Sequence, residues 1–365
     1  MAPDPGARGG IERATRLLVR ALADLFGPDR VELAPVWGAD ALAQLPCRLT
    51  RDAPSRGDEG KRVGVGNKAA FILSTLLTAL RSRERVLVIA CHTSLAPVAW
   101  LCSVVANARY AVWCHGAEIW FRPPRAVRLS LRRAGVVFSG SRYTARRAET
   151  VAGLPNNSVR LVPYPVLPGE DEPEPIAIAS SDRYLLTVAR LDSSERLKGI
   201  DTTIRALSEV QAAVPGIRYV IVGDGEDRTR LERVAIESGV ADRVDFVGAV
   251  GEEEKIGWYR SCEVLVMPSR QEGFGLVYLE AALLGKPSIG GNHGGAPEAV
   301  LDGVTGYVVE FGDVVALTER LVGLLTDDDL RRQLGDAARA RVMERYSFDA
   351  FLDNIRALTH DLAAD

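Results

Sequence analysis

The stretch Arg270-Gln-Glu-Gly-Phe-Gly-Leu-Val-Tyr-Leu-Glu-Ala-Ala-Leu-Leu-Gly285 carries two glutamates, Glu272 and Glu280, eight residues apart. It follows the apolar run Val264–Met267, which is typical of a buried strand. The first glutamate therefore lies in a glycine-rich turn, and the second lies about one and a half turns into a helix. Because the N–H groups at a helix start donate hydrogen bonds to anions, this stretch suits a sugar attached to a diphosphate.

Length and composition indicate a globular enzyme of two domains. The chain has 365 residues, of which 47% are apolar and 25% are charged. It contains no apolar run of membrane-spanning length, and its first residues lack the apolar region of a signal peptide. The five cysteines are odd in number and show no CxxC spacing, so we expect reduced thiols in a cytoplasmic protein.

Charge is distributed unevenly along the chain. Residues 1–166 carry 24 Lys and Arg against 12 Asp and Glu, whereas residues 167–365 carry 21 against 36. A basic half and an acidic half indicate two units that face different partners. The alternative is that charge varies between surfaces without a functional reason.

Strand-like runs alternate with helical patterns throughout, which predicts parallel sheets covered on both faces. The acidic, proline-rich segment Leu167–Pro175 has no periodicity and marks a domain boundary. We expect one α/β domain over 1–167, a second over 168–346, and a C-terminal helix over 347–365 that could cross back to the first domain. In such folds ligands bind outside the carboxyl ends of the strands.

The motifs of the chain occur in a recognisable order. They are Gly9-Gly-Ile-Glu-Arg13, His115-Gly116, Ser141-Arg-Tyr-Thr144, Val188-Ala-Arg-Leu191, Lys198-Gly199, Glu272-Gly-Phe-Gly275, and Gly294-Gly-Ala-Pro-Glu298. With them the chain resembles the retaining glycosyltransferases of family four, the glycogen-synthase-like group. The resemblance implies the GT-B fold, in which two Rossmann-like α/β domains face each other across a cleft. It also implies transfer of a hexose from a nucleotide diphosphate sugar with retained anomeric configuration.

The resemblance also assigns the site residues. It implies that the catalytic residues are Glu272, Arg190, Lys198 and His115. The donor-binding residues that it implies are Gly9, Gly10, Gly248, Phe274, Gly275, Leu276 and Glu280. Fixed cations stabilise the charge that develops on a departing diphosphate, and Arg196 competes with Lys198 for that role because it lies in the same loop.

An arginine-rich segment is the best candidate for the acceptor side. Residues 122–147 hold eight arginines and no acid, and Arg125, Arg128 and Arg132 share one helical stripe. Such a helix binds an anionic membrane or an anionic, lipid-linked acceptor, and we group Glu118 and Arg142 with it. The alternative is a helix that packs on the sheet and keeps its arginines solvated.

The motif Gly294–Glu298 is similar to that of mannosyltransferases, so GDP-mannose is the first donor considered and a UDP-hexose is the alternative. We expect neither a metal nor a cofactor, because the cations supply the countercharge. The acidic run Asp327–Asp329 fits a helix start better than a metal site. We expect no nucleic-acid partner, and a location in the cytoplasm or at the inner face of its membrane.

One departure from the family concerns the N-terminus. Family members begin with an apolar strand that leads into the glycine loop, whereas only eight residues precede Gly9 here. Either the true start lies upstream, or the first sheet lacks its leading strand. Two other classes of function stay open: a related epimerase or phosphorylase, and a protein that binds nucleotide sugars without turnover.

Overall fold

The computed structural model describes residues 10–33, 48–49, 65–82, 86–106, 108–167 and 183–364. The chain divides into two compact units. The first unit comprises Met1–Pro165 with Phe348–Asp365, and the second unit comprises Val166–Ser347. Most of the segment predicted as the domain boundary, and Gly9 with the residues before it, lie outside the described residues.

The first unit contains a parallel four-stranded sheet, whose strands lie side by side in chain order, and a separate parallel pair formed by its first two strands. Its elements before residue 166 are α1 (Gly10–Phe26), β1 (Glu32–Leu33), β2 (Arg48–Leu49), α2 (Val65–Arg81), β3 (Leu87–Ala90), α3 (Ala96–Val105), β4 (Arg109–Cys114), α4 (Ala117–Trp120), α5 (Arg125–Arg133), β5 (Val136–Ser139), α6 (Arg142–Ala152) and β6 (Arg160–Leu161).

The second unit is built on a parallel six-stranded sheet. Its elements are β7 (Tyr184–Val188), α7 (Ile200–Ala213), β8 (Arg218–Val222), α8 (Arg228–Glu237), β9 (Val244–Gly248), α9 (Glu252–Ser261), β10 (Val264–Met267), α10 (Leu276–Leu283), β11 (Ser288–Gly291), α11 (Ala296–Ala299), β12 (Gly306–Val309), α12 (Val314–Thr326) and α13 (Asp328–Arg345). The strand order is β12-β11-β10-β7-β8-β9. Central strand β10 is buried along its whole length, because helices cover both faces of the sheet.

Helix α14 (Phe348–Ala364) closes the chain within the first unit. Side chains alternate along β4, so its two faces meet different partners. Tyr110 and Val112 pack in the core with α2, α3, α5 and α6. On the other face the Trp113 ring stacks on Phe351 of α14, with ring centroids 6.1 Å apart. Arg109 donates a further hydrogen bond to the carbonyl of Leu362 at 2.6 Å.

The predicted elements agree well with the observed ones. The run Val31–Val36 has the apolar pattern of a strand, and the structure has a strand at Glu32–Leu33, while the last residues of the run lie outside the described residues. The run Val159–Pro163 has a similar pattern, and its observed strand is shorter, at Arg160–Leu161. Within the described ranges, no helix has the length and apolar character needed to cross a membrane.

Candidate functional site

Most of the residues predicted to bind the donor lie at one edge of the six-stranded sheet. Arg190 and Lys198 follow β7, Glu272 follows β10, and Gly294 follows β11, while Gly248 is the last residue of β9. Since all these strands are parallel, their carboxyl ends share an edge. This is the edge at which open α/β sheets bind ligands.

Two of the predicted catalytic residues contact each other directly. The Nζ atom of Lys198 donates a hydrogen bond to Oε2 of Glu272 at 2.7 Å. Their side chains are only 17% and 12% exposed, so the two charges meet largely out of contact with water. The other oxygen of Glu272, Oε1, accepts the N–H of Gly273 at 3.2 Å. The carboxylate is therefore fixed at the mouth of the turn.

The loop that carries Lys198 is fixed against the turn after β10. Arg270 donates its backbone N–H to the carbonyl of Leu197 at 2.8 Å. Gly199 has φ +76°, and a Cβ atom there would lie 2.4 Å from the carbonyl oxygen of Pro268. Only glycine accommodates both the positive φ and this close approach. The Lys198-Gly199 motif thus brings the ammonium group to Glu272.

The glycine-rich turn is shaped by a similar close approach. Gly275 has φ +91°, and a Cβ atom there would lie 2.3 Å from the ring of Tyr278. That ring is buried, and its hydroxyl donates to the carbonyl of Met267 at 2.7 Å. From the loop after β11, Gly295 donates its N–H to the carbonyl of Glu272 at 2.8 Å. The two glycine motifs therefore pack backbone on backbone.

Helix α10 begins at Leu276, directly after this turn. The first N–H groups of a helix have no acceptor inside it, and they carry the positive end of the helix dipole. The side chain of Phe274 is buried, and its ring centre lies 5.6 Å from that of Tyr346. Phe274 would therefore meet a donor through its backbone and not through its ring. The start of α10 therefore lies directly after the turn that holds Glu272 of the Lys198–Glu272 pair, and its binding of the donor phosphates stays a prediction.

Glu280, in the second turn of α10, has partners that the sequence analysis did not identify. The hydroxyl of Tyr259 donates to Oε2 of Glu280 at 2.7 Å. The Nζ atom of Lys255 lies 3.6 Å from Oε1. Lys255 and Tyr259 are four residues apart on α9, so they share one face of that helix. These two contacts hold the Glu280 carboxylate in place, and its role toward the ribose hydroxyls stays a prediction.

Arg196 is engaged elsewhere, although it lies two residues from Lys198 in sequence. Its Nε donates to Oδ1 of Asp227 at 2.8 Å, and Arg230 donates to both oxygens of the same carboxylate. The Asp227 side chain is 3% exposed. Burial favours its neutral form, but the hydrogen bonds and charges of Arg230 and Arg196 outweigh burial and lower the pKa of Asp227. The pairing ties the Lys198 loop to the start of α8.

Arg190 stands at the rim of this ion-pair network. Its side chain is 67% exposed, and its guanidinium lies 3.7 Å from the carboxylate of Asp192. It lines a shallow pocket together with Arg196, Asp227 and Arg230. Arg190 is therefore placed at the sheet edge near the Lys198 loop, and its role in catalysis stays a prediction.

Gly248 and Gly10 have backbone positions that fit ligand approach. Gly248 has φ +88° with open space where a Cβ atom would stand, and its carbonyl accepts the N–H of Gly223 at 2.8 Å. Gly10 is the exposed first residue of α1. Their contacts with the donor stay predictions.

His115 lies at the end of β4 in the first unit. Its Nε2 atom is 3.0 Å from the carbonyl of Cys91, and its Nδ1 atom is 2.9 Å from the hydroxyl of Tyr164. Since a carbonyl only accepts, Nε2 carries the proton and Nδ1 accepts from Tyr164. Burial lowers the pKa of His115 from 6.5 to about 4, although the Glu118 charge opposes this shift. The imidazole is neutral at pH 7, and its catalytic role stays a prediction.

Glu118, predicted on the acceptor side, turns its carboxylate back to the strand end. Its two oxygens accept the N–H groups of His115 at 2.6 Å and Gly116 at 3.0 Å. Gly116 has φ +143°, a conformation that glycine adopts readily. The observed contacts make Glu118 a positioning residue for the His115 turn.

The predicted arginine stripe is present on α5. Val127 and Leu131 are buried, while Arg125 and Arg132 are exposed. The Nε atom of Arg128 is buried and has no hydrogen-bond partner in the described part of the chain. This desolvation, with the nearby guanidiniums of Arg122, Arg132 and Arg125, lowers the pKa of Arg128.

Within the described residues, Arg122, Arg125, Arg128 and Arg132 form no ion pair with a carboxylate. Arg132 instead donates its Nε–H to the carbonyl of Ala152 at 2.6 Å. Arg142 begins α6, directly after the N-cap Ser141. The same part of the chain contains no group of three or more His, Cys, Asp or Glu arranged to hold a metal ion.

Comparison with known proteins identifies the family. A family profile described as "Glycosyl transferases group 1" matches residues 169–341. A relative from Mycolicibacterium smegmatis, named GDP-mannose-dependent alpha-(1-6)-phosphatidylinositol monomannoside mannosyltransferase, is 35% identical over 272 residues, which cover 69% of this chain and 71% of the relative. A protein of the same name from Mycobacterium tuberculosis is 32% identical over 369 residues, covering 94% of this chain and 93% of the relative. The chain belongs to the group 1 glycosyltransferase family.

Solved structures show the fold of this glycosyltransferase. Anabaena HepE in complex with UDP and glucose is 20% identical, with a TM-score of 0.77 over 97% of both chains. Sucrose-phosphate synthase from Thermosynechococcus elongatus is 22% identical, with a TM-score of 0.77 over 100% of both chains. The family, the GT-B fold class and a glycosyltransferase activity, all predicted from sequence, are therefore confirmed.

Proposed function

We propose that this glycosyltransferase transfers mannose from GDP-mannose, with retained anomeric configuration, to an anionic, lipid-linked acceptor. The observation that carries the donor half is the Lys198–Glu272 pair, held at 2.7 Å beside the start of α10 at the carboxyl edge of the sheet. The choice of GDP-mannose rests on the relatives from Mycolicibacterium smegmatis and Mycobacterium tuberculosis, whose names state that donor.

Each group of the second unit has a distinct task in this reaction. Lys198, Arg190 and the N–H groups at the start of α10 receive the diphosphate and stabilise the charge that it gains as the glycosidic bond breaks. Glu272 accepts hydroxyl groups of the transferred sugar, and Glu280 accepts the ribose hydroxyls. The acceptor attacks on the face from which the diphosphate leaves, and the leaving phosphate takes the proton of the acceptor.

The cations also replace a metal ion in this proposal, and no cofactor takes part. An ammonium and a guanidinium are permanent countercharges at neutral pH, so the diphosphate can depart without Mg²⁺. Transfer should accordingly continue in EDTA at the rate seen without it. Loss of transfer in EDTA that manganese or magnesium restores would overturn this part of the proposal.

The acceptor half rests on the arginines and on the relatives. The relatives are named for transfer to phosphatidylinositol monomannoside, which is an anionic lipid. Arg125, Arg128 and Arg132 of α5 offer guanidiniums suited to phosphate groups. We assign the enzyme on this basis to the inner face of the cytoplasmic membrane.

Two measurements, made one after the other, test the proposal. A thermal-shift screen against GDP, UDP, ADP and their sugars identifies the donor, because a ligand that binds the folded state raises its stability. GDP-mannose should give the largest shift among the sugar nucleotides. Transfer of radiolabelled mannose is then measured into phosphatidylinositol mannosides and into water-soluble sugars. A larger shift with UDP-hexoses, or transfer only to the soluble sugars, would contradict the corresponding half.

A further inference from the structure

Helix α3 of the first unit has an unusual composition for a surface helix. Its ten residues, Ala96–Val105, include no charged side chain. Ala96, Ala99 and Cys102 are buried and face the core. On the opposite face Leu101, Val104 and Val105 are 40%, 67% and 44% exposed. Helices that are apolar on all sides are normally buried, so this outer face indicates a partner.

The neighbouring helix α2 extends this apolar surface. It packs against α3, and its core-facing residues include Phe71, Thr75 and Ala79. Leu73 and Leu80 lie seven residues apart, on one side of the helix, and are 58% and 53% exposed. Two adjacent helices therefore expose five large aliphatic side chains.

Sheet topology makes α3 and α5 neighbours in one layer. The strand order β3-β4-β5-β6 follows the chain, and right-handed crossovers place the connecting helices on one face of the sheet. Helices α3 and α5 are in contact, and the guanidinium of Arg133 lies 4.9 Å from the ring centre of Trp100 on α3. The outward faces of both helices therefore point away from the same side of the sheet.

This layer combines apolar and basic side chains and contains almost no acid. Helices α2, α3 and α5 contain neither Asp nor Glu. On α5 the exposed Arg125 and Arg132 flank Leu129, which is 43% exposed. Glu118, between α3 and α5 in sequence, is occupied by the N–H groups of His115 and Gly116. An anionic and partly apolar surface complements such a face, and an anionic lipid bilayer has both properties.

We propose that the outer face of α2, α3 and α5 seats this protein on an anionic membrane. Leu73, Leu80, Leu101, Val104 and Val105 enter the boundary between headgroups and acyl chains, while the α5 arginines contact lipid phosphates. The proposal deepens the proposed function, since an acceptor in the membrane requires the enzyme to reach it. It adds an apolar contribution to a binding mode that the arginines alone would make purely Coulombic.

The apolar contribution gives the proposal a sharp test. Raising salt from about 0.1 M to about 1 M shortens the Debye length from about 10 Å to about 3 Å, which weakens the arginine contacts but not the burial of aliphatic groups. Co-sedimentation is measured with phosphatidylcholine vesicles that contain or lack phosphatidylinositol. The wild-type protein should bind the anionic vesicles, and part of that binding should persist at high salt.

The decisive variant is Val104→Asp with Val105→Asp, two exposed positions at which a carboxylate stays solvated. Its affinity for anionic vesicles should fall at least tenfold, and the salt-resistant part should disappear. Ile236→Asp is the matched control, because Ile236 on α8 is 68% exposed in the second unit. The control should bind vesicles as the wild type does. Both variants should keep the thermal shift with GDP-mannose, which separates this proposal from the donor assignment.

Three results would overturn the proposal. One is that the double variant binds vesicles as tightly as the wild type does. Another is that the wild-type protein fails to sediment with anionic vesicles at either salt concentration, whatever its transferase activity. The third is that the double substitution dissociates a dimer, measured by sedimentation velocity, without changing vesicle binding. In that case the apolar face would be an interface between two copies of the chain.

Discussion

Charge is arranged differently in the two units of this glycosyltransferase. In the second unit the site cations face carboxylates, as Lys198 does with Glu272 and as Arg196 and Arg230 do with Asp227. In the first unit, Arg122, just before α5, and Arg125, Arg128 and Arg132 on α5 form no ion pair with a carboxylate of the described residues. The first arrangement fixes charges relative to one another, and the second leaves charge for an external anion.

This difference follows from the tasks of the two units. A group that stabilises a transition state must be held in place before the reaction, and ion pairs with half-buried partners hold it. A surface that binds a fluid anionic layer needs charge density rather than exact orientation. Removing a charge from the second unit should therefore reduce turnover, whereas removing one from α5 should leave folding intact.

The largest effect is expected for Lys198→Ala. The charge of Lys198 matters most as the diphosphate departs, so turnover should fall about a hundredfold, equivalent to about 3 kcal/mol, with a smaller change in nucleotide affinity. Steady-state kinetics with a separate measurement of GDP binding checks this. Arg196→Ala is the matched control, because it removes a cation from the same loop that contacts Asp227 rather than Glu272. If Arg196→Ala abolished turnover and Lys198→Ala did not, the roles of the two would be exchanged.

The two glutamates should give different kinetic signatures. Glu280→Ala should mainly raise the Michaelis constant for the donor, about tenfold, because ribose hydroxyls bind alike in the ground and transition states. Glu272→Ala should instead lower turnover, since it positions the reacting sugar and leaves the half-buried Lys198 without its carboxylate. Initial rates over a range of donor concentrations separate the two. The reverse pattern would show that the assignment of the pair is wrong.

In the first unit, His115 should make stability depend on pH. Burial lowers its pKa from 6.5 to about 4. Between these two pH values His115 is protonated in the unfolded chain but neutral in the folded chain. Relative to its value above pH 6.5, the free energy of unfolding decreases as pH falls toward 4. The loss amounts to about 2 kcal/mol at pH 5. Urea unfolding of the wild type and of His115→Gln at pH 8 and pH 5 measures it. An equal loss of stability in both proteins would assign the effect to other groups.

The sequence predicted the local elements of the fold well. Val264–Met267 is a strand as predicted, and the helix predicted after the glycine turn is seen as Leu276–Leu283. These features depend on local periodicity and on glycines that occupy positive φ, which leave a signal in a short window. Lys198 and Glu272 are 74 residues apart, and their assignment to one site came from a family resemblance and not from periodicity.

The partners of the site residues could not be predicted in the same way. Tyr259 lies 21 residues before Glu280 on a different helix, and its contact depends on how α9 packs against α10. A Lys and a Tyr four residues apart on α9 were the available signal, but many surface helices carry such pairs. The position of Asp227 was harder to predict, because nothing in the surrounding sequence shows that its carboxylate is buried between two arginines.

The smallest effect, and the most direct test of the comparison, is expected for Arg125→Gln. Arg125 is exposed, and its charge is one of those that lower the pKa of Arg128. The free energy of unfolding should therefore stay within about 0.5 kcal/mol of the wild type or rise slightly. Arg230→Gln, in the second unit, is the contrasting variant, because it removes two hydrogen bonds from the buried Asp227 and should destabilise the fold by about 1 to 3 kcal/mol. Thermal and urea unfolding of both variants measures the difference.

Since salt screens repulsion between exposed charges, any gain in stability from Arg125→Gln should shrink at high ionic strength. A clear loss of stability in Arg125→Gln would mean that this arginine has a structural partner, and α5 would then resemble the second unit after all.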